Sequence, residues 1–149
     1  MLTARRMGTW RGNYQLADDG RPVAVWDPSW WRSGGDFEVD GRRYQVRAGT
    51  WGTSYRMTDE MGGEVAAVER AGRKRWTVRA GPRTYEFRRT SIWGTRHELL
   101  ADGVTVGSVR WTSAWSGVVE ADLPGLPLPV RILVLGVQIA IWQTASESA

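Results

Sequence analysis

Short stretches in which apolar and polar residues alternate fill the chain from residue 13 to residue 122. In one of them, Tyr44 and Val46 share one face of an extended segment, whereas Arg43 and Arg47 share the other. Turn signals separate the stretches, and the strongest is Asp40-Gly41. The predicted strands are 13–17, 22–26, 36–40, 43–48, 53–58, 64–69, 74–80, 83–89, 95–100, 104–111 and 117–122. This pattern predicts about eleven strands in an antiparallel meander.

A different pattern begins near the C-terminus. Residues 126–142 are apolar on every side except at Arg131 and Gln138, which is typical of a helix that is buried all round. We predict a helix over about residues 129–143, followed by a frayed tail at 144–149. At roughly 21 Å, this helix is shorter than a bilayer core of about 30 Å, so a buried core helix is favoured over a membrane span.

The two patterns fit together as one domain, residues 1–149. About eight strands already make the widest barrel that side chains alone can fill, so a meander of about eleven needs an occupant. A helix about 10 Å across suits that space. We therefore predict a closed antiparallel β-barrel of about 11–12 strands that encloses the C-terminal helix. A buried Arg131 then needs an acidic or carbonyl partner, which Asp122 or another carboxylate at the barrel mouth could supply.

An internal repeat runs through the strand region. Its shared unit is an aromatic-led strand, an acidic-glycine turn and a return strand. The copies are Trp51–Arg70, Trp93–Arg110 and, more faintly, Thr9–Val25. The repeat predicts similar hairpins laid side by side.

Two of these hairpins and the terminal run resemble a known family. The segments concerned are Tyr55-Arg56-Met57 with Asp59, Gly62 and Val65–Arg70, its counterpart Tyr14–Val25, and Leu128–Gly136. They resemble the tubby C-terminal-like superfamily, nearest its small LURP-one-related and phospholipid-scramblase-like branch. The resemblance covers nearly the whole chain and implies a closed barrel threaded by a hydrophobic helix. The chain lacks the cysteines that carry lipid anchors in scramblases and any acidic calcium loop near the helix. No counterpart of tubby's phosphoinositide-binding residues is found, so no binding residue is carried over.

The composition excludes much chemistry. The chain has no cysteine, which rules out disulfides and thiolate catalysis, and His97 is the single histidine. No serine stands in a nucleophile motif, and no glycine-rich phosphate loop occurs. We expect His97 to be a packed strand residue, and we expect no enzyme activity, cofactor or metal.

Positive charge is the first feature that suggests binding. The net charge is +4, and arginine supplies nearly all of the 20 basic residues, which fits either anion binding or codon usage. Between Arg70 and Arg89 there are eight basic residues and one acid, Glu86. The alternation predicts a positive stripe of outward arginines: Arg43, Arg47, Arg75, Arg79 and Arg88. Such a stripe would attract anionic lipid headgroups or nucleic acid; the competing interpretation is a solvated wall paired with Glu64, Glu69 and Glu86.

Two consecutive tryptophans are the second such feature. Trp30 and Trp31, followed by Arg32, lie in a Pro/Gly-bounded loop. Because the two tryptophans are consecutive, they cannot easily point inward at the same time. Indoles beside an arginine suit a membrane interface or a partner contact. Capping one end of the barrel is the alternative.

The sequence thus predicts a monomeric, non-enzymatic binding protein that associates peripherally with anionic phospholipid headgroups. Because Met1 to Gly8 contains no apolar h-region, we expect a cytoplasmic protein. A tail-anchored protein that spans the membrane with residues 126–142, and a nucleic-acid-binding barrel, are the alternatives. The protein partner is not predicted.

Overall fold

The computed structural model describes residues 1–7, 13–27, 34–49, 54–71, 74–90, 96–113 and 118–147. These residues form twelve antiparallel strands and one helix. The strands are β1 (Leu2–Arg6), β2 (Tyr14–Asp18), β3 (Arg21–Trp26), β4 (Gly35–Val39), β5 (Arg42–Ala48), β6 (Tyr55–Thr58), β7 (Glu64–Glu69), β8 (Arg75–Ala80), β9 (Arg83–Arg89), β10 (Arg96–Ala101), β11 (Val104–Ser113) and β12 (Val118–Asp122), and the helix is α1 (Leu128–Glu147). The protein is therefore mainly β, as predicted.

The strands form one nearly closed barrel. Their order is β3-β2-β1-β12-β11-β10-β9-β8-β7-β6-β5-β4, so that neighbours in sequence are neighbours in the sheet and β1 pairs with β12. The two edge strands, β3 and β4, face each other across a seam. There the ring centroids of Trp26 and Phe37 lie 6.1 Å apart. The predicted antiparallel meander, closed around a helix, is confirmed.

Strand β1 is the element that the sequence pattern did not predict. Five residues that include two arginines, with no flanking turn signal, carry too little alternation to be recognised. The strand forms because β2 and β12, on its two sides, both pair with it through backbone hydrogen bonds. Ala4 lies opposite Leu16 of β2 and Val119 of β12, and all three side chains are buried.

Three hairpins turn on Asp-Gly pairs, as their sequences predict. A two-residue hairpin turn that matches the twist of the strands needs positive φ at both residues, which Asp tolerates and Gly adopts freely. The pairs, with their φ angles in degrees, are Asp19 (49) and Gly20 (84), Asp40 (53) and Gly41 (76), and Asp102 (51) and Gly103 (79). These turns fix the registers of β2–β3, β4–β5 and β10–β11.

The helix fills the barrel. From Val130 to Trp142 every side chain except that of Arg131 is buried, and the inward residues of the strands surround it. Gly136 lets the helix approach the wall closely, because a Cβ at this position would overlap the ring of Trp26. Within the described part of the chain, no helix is long and apolar enough to cross a membrane.

Helix α1 is longer than predicted at both ends. It begins at Leu128 rather than residue 129, and it continues to Glu147, four residues beyond the predicted end at Gln143. The prediction stopped where the apolar run stops. Backbone hydrogen bonding does not stop there, since no Gly or Pro follows Gly136 to end the helix.

Two polar residues in the apolar run of α1, Arg131 and Gln138, have partners on the strands. The Arg131 guanidinium reaches the Asp18 carboxylate, with Nη1 3.3 Å from Oδ1 and Nη2 3.5 Å from Oδ2. The expected carboxylate at the barrel mouth is therefore supplied by Asp18 and not by Asp122. Deeper in the barrel, the indole Nε1–H of Trp76 donates a hydrogen bond to Oε1 of Gln138.

Strand direction defines two ends of the barrel. At the turn end, short turns join β2–β3, β4–β5, β6–β7, β8–β9 and β10–β11, and α1 begins after β12. At the far end, the other strand pairs are connected and α1 terminates. Contacts of the helix agree with this direction. Arg131 meets Asp18 at the turn end, whereas the rings of Trp142 and Trp111 lie 5.5 Å apart near the far end.

The internal repeat corresponds to a unit of four strands. Tyr14, Tyr55 and His97 are its equivalent residues, and each is buried at the far-end start of β2, β6 or β10. These strands are four apart in a ring of twelve. The sequence analysis predicted that the similar hairpins lie side by side, and this prediction is wrong. They alternate with other hairpins and lie about a third of the circumference apart.

Candidate functional site

The five arginines of the predicted stripe are all exposed on the outer wall, as the alternation predicted. They do not form one stripe. Arg47, Arg75 and Arg88 lie within two residues of the far end of their strands, whereas Arg43 and Arg79 lie at the turn end. The structure thus brings three of the five arginines together at the far end and places the other two at the opposite end.

Arg43 lies in an acidic groove. This groove, of about 560 Å³, is lined by Asp36, Glu38, Gly41, Arg43, Gln45, Asp59 and Glu60. Arg43 Nη1 lies 3.7 Å from Oδ2 of Asp36. Four carboxylates surround one guanidinium, so the local potential is negative and Arg43 does not belong to a positive surface.

Arg79 forms an ion pair with a carboxylate. Its Nη2 lies 3.1 Å from Oε2 of Glu64, and the other oxygen of the same carboxylate lies 3.1 Å from Nε of Arg56. The interpretation of a paired wall therefore holds for Arg79, with Glu64 as the partner. Exposed ion pairs contribute little stability, about 0–1 kcal/mol. What separates Arg79 from most of the other outward arginines is its position at the turn end.

The basic residues concentrate at the far end. We count the last two residues of each strand at that end and the adjoining described residues. Ten are basic and three, Asp27, Asp36 and Glu69, are acidic. The basic ones, called the basic rim from here on, are Arg5, Arg6, Arg47, Arg56, Arg70, Lys74, Arg75, Arg88, Arg89 and Arg96. The far end therefore carries a strong positive potential.

The turn end has the opposite charge. The same count gives nine acidic residues and five basic ones. The acidic residues are Asp18, Asp19, Glu38, Asp40, Asp59, Glu60, Glu64, Asp102 and Asp122, and the basic ones are Arg21, Arg42, Arg43, Arg79 and Arg83. The barrel is thus polarised along its axis, although its net charge is only +4.

Within the basic rim, arginines oppose each other across two ladders. Arg47 lies opposite Arg56, and Arg75 lies opposite Arg88. Like charges in directly opposite positions destabilise a sheet. Arg56 and Arg88 each reach a carboxylate, at 3.1 and 3.3 Å, but the described residues offer none to Arg47 or Arg75. An anion bound beside Arg47 or Arg75 would relieve this repulsion.

The predicted contacts Trp30, Trp31 and Arg32 lie outside the described residues. By sequence they fall between Asp27 and Gly34, which both lie at the far end. The other tryptophans outside the described residues are Trp10, Trp51, Trp93 and Trp115, and each falls in a sequence segment between two strands that are connected at that end. Six of the ten tryptophans therefore lie outside the described residues, in sequence segments between strands.

His97 is packed in the core, as predicted. It is 1% exposed, and its ring centroid lies 6.0 Å from that of Trp142. Among the residues that the structure describes, no group of three or more His, Asp or Glu is placed to hold a metal ion.

Sequence reasoning missed part of the basic rim. Arg5 and Arg6 lie on β1, which the sequence pattern does not predict, so they were not among the predicted binding residues. Arg96 stood outside the charged segment 70–89. The available signal was strand direction: once consecutive hairpins are assigned, alternate connections must lie at the same end, and their charges can be counted.

Comparison with family models, with curated proteins and with solved structures finds no match.

Proposed function

We propose that this barrel is a non-enzymatic binding protein that associates peripherally with anionic lipid surfaces through its basic rim. The observation that carries the proposal is the separation of charge along the barrel axis, with ten basic and three acidic residues at one end. Each basic residue near an anionic membrane contributes about 1 kcal/mol of attraction. The acidic turn end is repelled, so the polarity also orients the approaching protein.

Lipid fits the described surface better than nucleic acid does. Proteins that bind single strands combine a basic groove with exposed aromatic side chains on which bases stack. The large hydrophobic side chains exposed in the described part of the chain are Met1, Met7, Val25, Met61 and Val104, none of which is aromatic. The groove lined by Asp36, Glu38, Asp59 and Glu60 is acidic and would repel a nucleic-acid backbone.

The resemblance to the tubby C-terminal-like superfamily is part of the proposal. A barrel that encloses a hydrophobic helix is the architecture that this resemblance implies. The architecture alone does not identify a ligand, however, because proteins with one fold have many different functions. The proposed ligand therefore rests on the rim and not on the family.

The test is binding of the intact chain to vesicles of phosphatidylcholine with and without phosphatidylserine, measured by co-sedimentation over a series of salt concentrations. We expect binding only to the anionic vesicles, with a loss on added salt because exposed charges are screened beyond about 8 Å at physiological ionic strength. A single-stranded oligonucleotide at matched salt is the comparison. Tighter binding to the oligonucleotide, or no binding to anionic vesicles at low salt, would refute the proposal.

A further inference from the structure

Three arginines of the basic rim occupy equivalent places around the barrel. Arg5, Arg47 and Arg88 are each the second-to-last residue of their strand at the far end, on β1, β5 and β9. All three side chains are exposed. In the strand order, β1, β5 and β9 are separated by four steps in each direction, counting the seam between β3 and β4 as one. The three arginines therefore lie about 120° apart around the axis.

This spacing restricts how a flat surface can touch them. A twelve-stranded barrel with a strand spacing of about 4.8 Å and a tilt of about 40° is roughly 24 Å across at its Cα atoms. A plane laid along the wall would contact only a few neighbouring strands, and hence one of the three positions. A plane perpendicular to the axis at the far end meets all three at similar depth.

We infer that the protein docks end-on, with the barrel axis normal to an anionic bilayer and Arg5, Arg47 and Arg88 contacting lipid phosphates on three sides of the far end. The inference rests on the proposed function and adds its geometry. Guanidinium groups suit this role because their planar fork pairs bidentately with phosphate. The C-terminal end of α1 then faces the membrane, and the acidic turn end faces away.

The competing geometry is side-on docking through the wall of β8 and β9. That wall holds Arg75, Arg79, Arg83 and Arg88, which are four of the eight basic residues in the charged segment 70–89. In side-on docking Arg83 and Arg88 would both contribute, whereas Arg5 and Arg47 would not. In end-on docking Arg5, Arg47 and Arg88 contribute equally and Arg83 does not.

Single Arg→Gln variants separate the two geometries. Arg47→Gln has a control on the same strand, Arg42→Gln, and Arg88→Gln has Arg83→Gln; both controls are exposed arginines at the turn end. We expect each of Arg5→Gln, Arg47→Gln and Arg88→Gln to weaken binding to phosphatidylserine vesicles about five-fold. The controls should change it less than two-fold, since they lie five residues along the strand from the rim positions, or roughly 13 Å along the axis at a tilt of about 40°, which exceeds the screening length of about 8 Å.

A second readout reports orientation directly. The chain has no cysteine, so a single introduced cysteine can carry an environment-sensitive dye. Met7→Cys places the dye at the far end and Met61→Cys at the turn end, where the native side chains are 40% and 92% exposed. On adding anionic vesicles, the dye at position 7 should shift to the blue, and the dye at position 61 should not.

The outcomes distinguish the inference from the proposed function. Binding with equal losses at the three rim positions and a dye shift only at position 7 supports end-on docking. Binding with losses at Arg83 and Arg88 but not at Arg5 and Arg47 overturns end-on docking and leaves the proposed function intact. Absence of any salt-sensitive binding by the unmodified chain overturns the proposed function itself.

Discussion

The indole Nε1–H of Trp76, on strand β8, donates a 3.1 Å hydrogen bond to Oε1 of Gln138, on the enclosed helix α1. Both side chains are fully buried. A buried donor that loses its acceptor retains the full cost of leaving water. The pair therefore fixes the rotation and depth of the helix relative to the wall, in addition to the apolar packing around it.

Replacing Gln138 with Leu should destabilise the protein by about 1–3 kcal/mol, because Trp76 Nε1–H is left unpaired in the core. In a Trp76→Phe background the indole donor is absent, so Gln138→Leu should lower the free energy of unfolding much less. Urea unfolding of the two single variants and the double variant measures the coupling. If the changes in the free energy of unfolding were strictly additive, the hydrogen bond would not hold the helix in its position relative to the wall.

Replacing Gly136 with Ala should also destabilise the protein, although alanine favours helices by about 1 kcal/mol. The added Cβ overlaps the ring of Trp26, which is buried, and overpacking of this kind costs about 1–3 kcal/mol. A Trp26→Leu background provides the control, because the smaller side chain makes room. A stabilising effect of Gly136→Ala in the native background would contradict the observed close approach.

Removing residues 127–149 should leave an unfilled barrel that is insoluble or molten. If that segment were a membrane anchor, its removal would instead release a soluble domain that unfolds cooperatively. Leu135→Asp is a milder probe: it buries an unpaired charge at a fully buried position and should cost several kcal/mol, comparable with the whole stability of a domain. Val104→Asp, at a side chain that is 63% exposed, should be nearly neutral.

Stability should fall at high pH partly because of Tyr55. Burial raises the pKa of its phenol from the ordinary value of 10.0 to about 12, so the unfolded chain loses this proton first as the pH rises. The contribution is fully present below pH 10 and is lost as the pH rises through 12, at about 1.4 kcal/mol per pH unit. Tyr55→Phe removes it, so the variant's free energy of unfolding should fall less steeply over that range. Equal slopes for both proteins would contradict the pKa shift.

Much of the fold could be predicted because its signals are local. Two residues, Asp40 and Gly41, are enough to predict their hairpin. The helix is predicted by a run of apolar residues that does not alternate as a strand would. Strand β1 could not be predicted in the same way, since its stability comes from β2 and β12, and the latter is more than a hundred residues away in sequence.

The site was predictable only in part, for a related reason. Alternation correctly indicates that Arg75 and Arg79 face outward, but four residues of strand separate them, so they lie toward opposite ends of the barrel. The partner of Arg79 is Glu64, on the neighbouring strand, and register decides this pairing. Charge along a sequence segment is therefore a poor measure of charge on a barrel surface, whereas charge sorted by barrel end is informative.

The most direct test of the account compares two triple variants with the same change in net charge. Arg5→Gln/Arg47→Gln/Arg88→Gln removes three charges from the basic rim, and Arg21→Gln/Arg42→Gln/Arg83→Gln removes three exposed charges from the turn end; both change the net charge from +4 to +1. The measurement is partitioning onto phosphatidylserine-containing vesicles at low salt. The account predicts a loss of about a hundred-fold for the rim variant and a change of less than about three-fold for the turn-end variant. Equal losses in the two variants would show that net charge alone governs binding and would contradict the account.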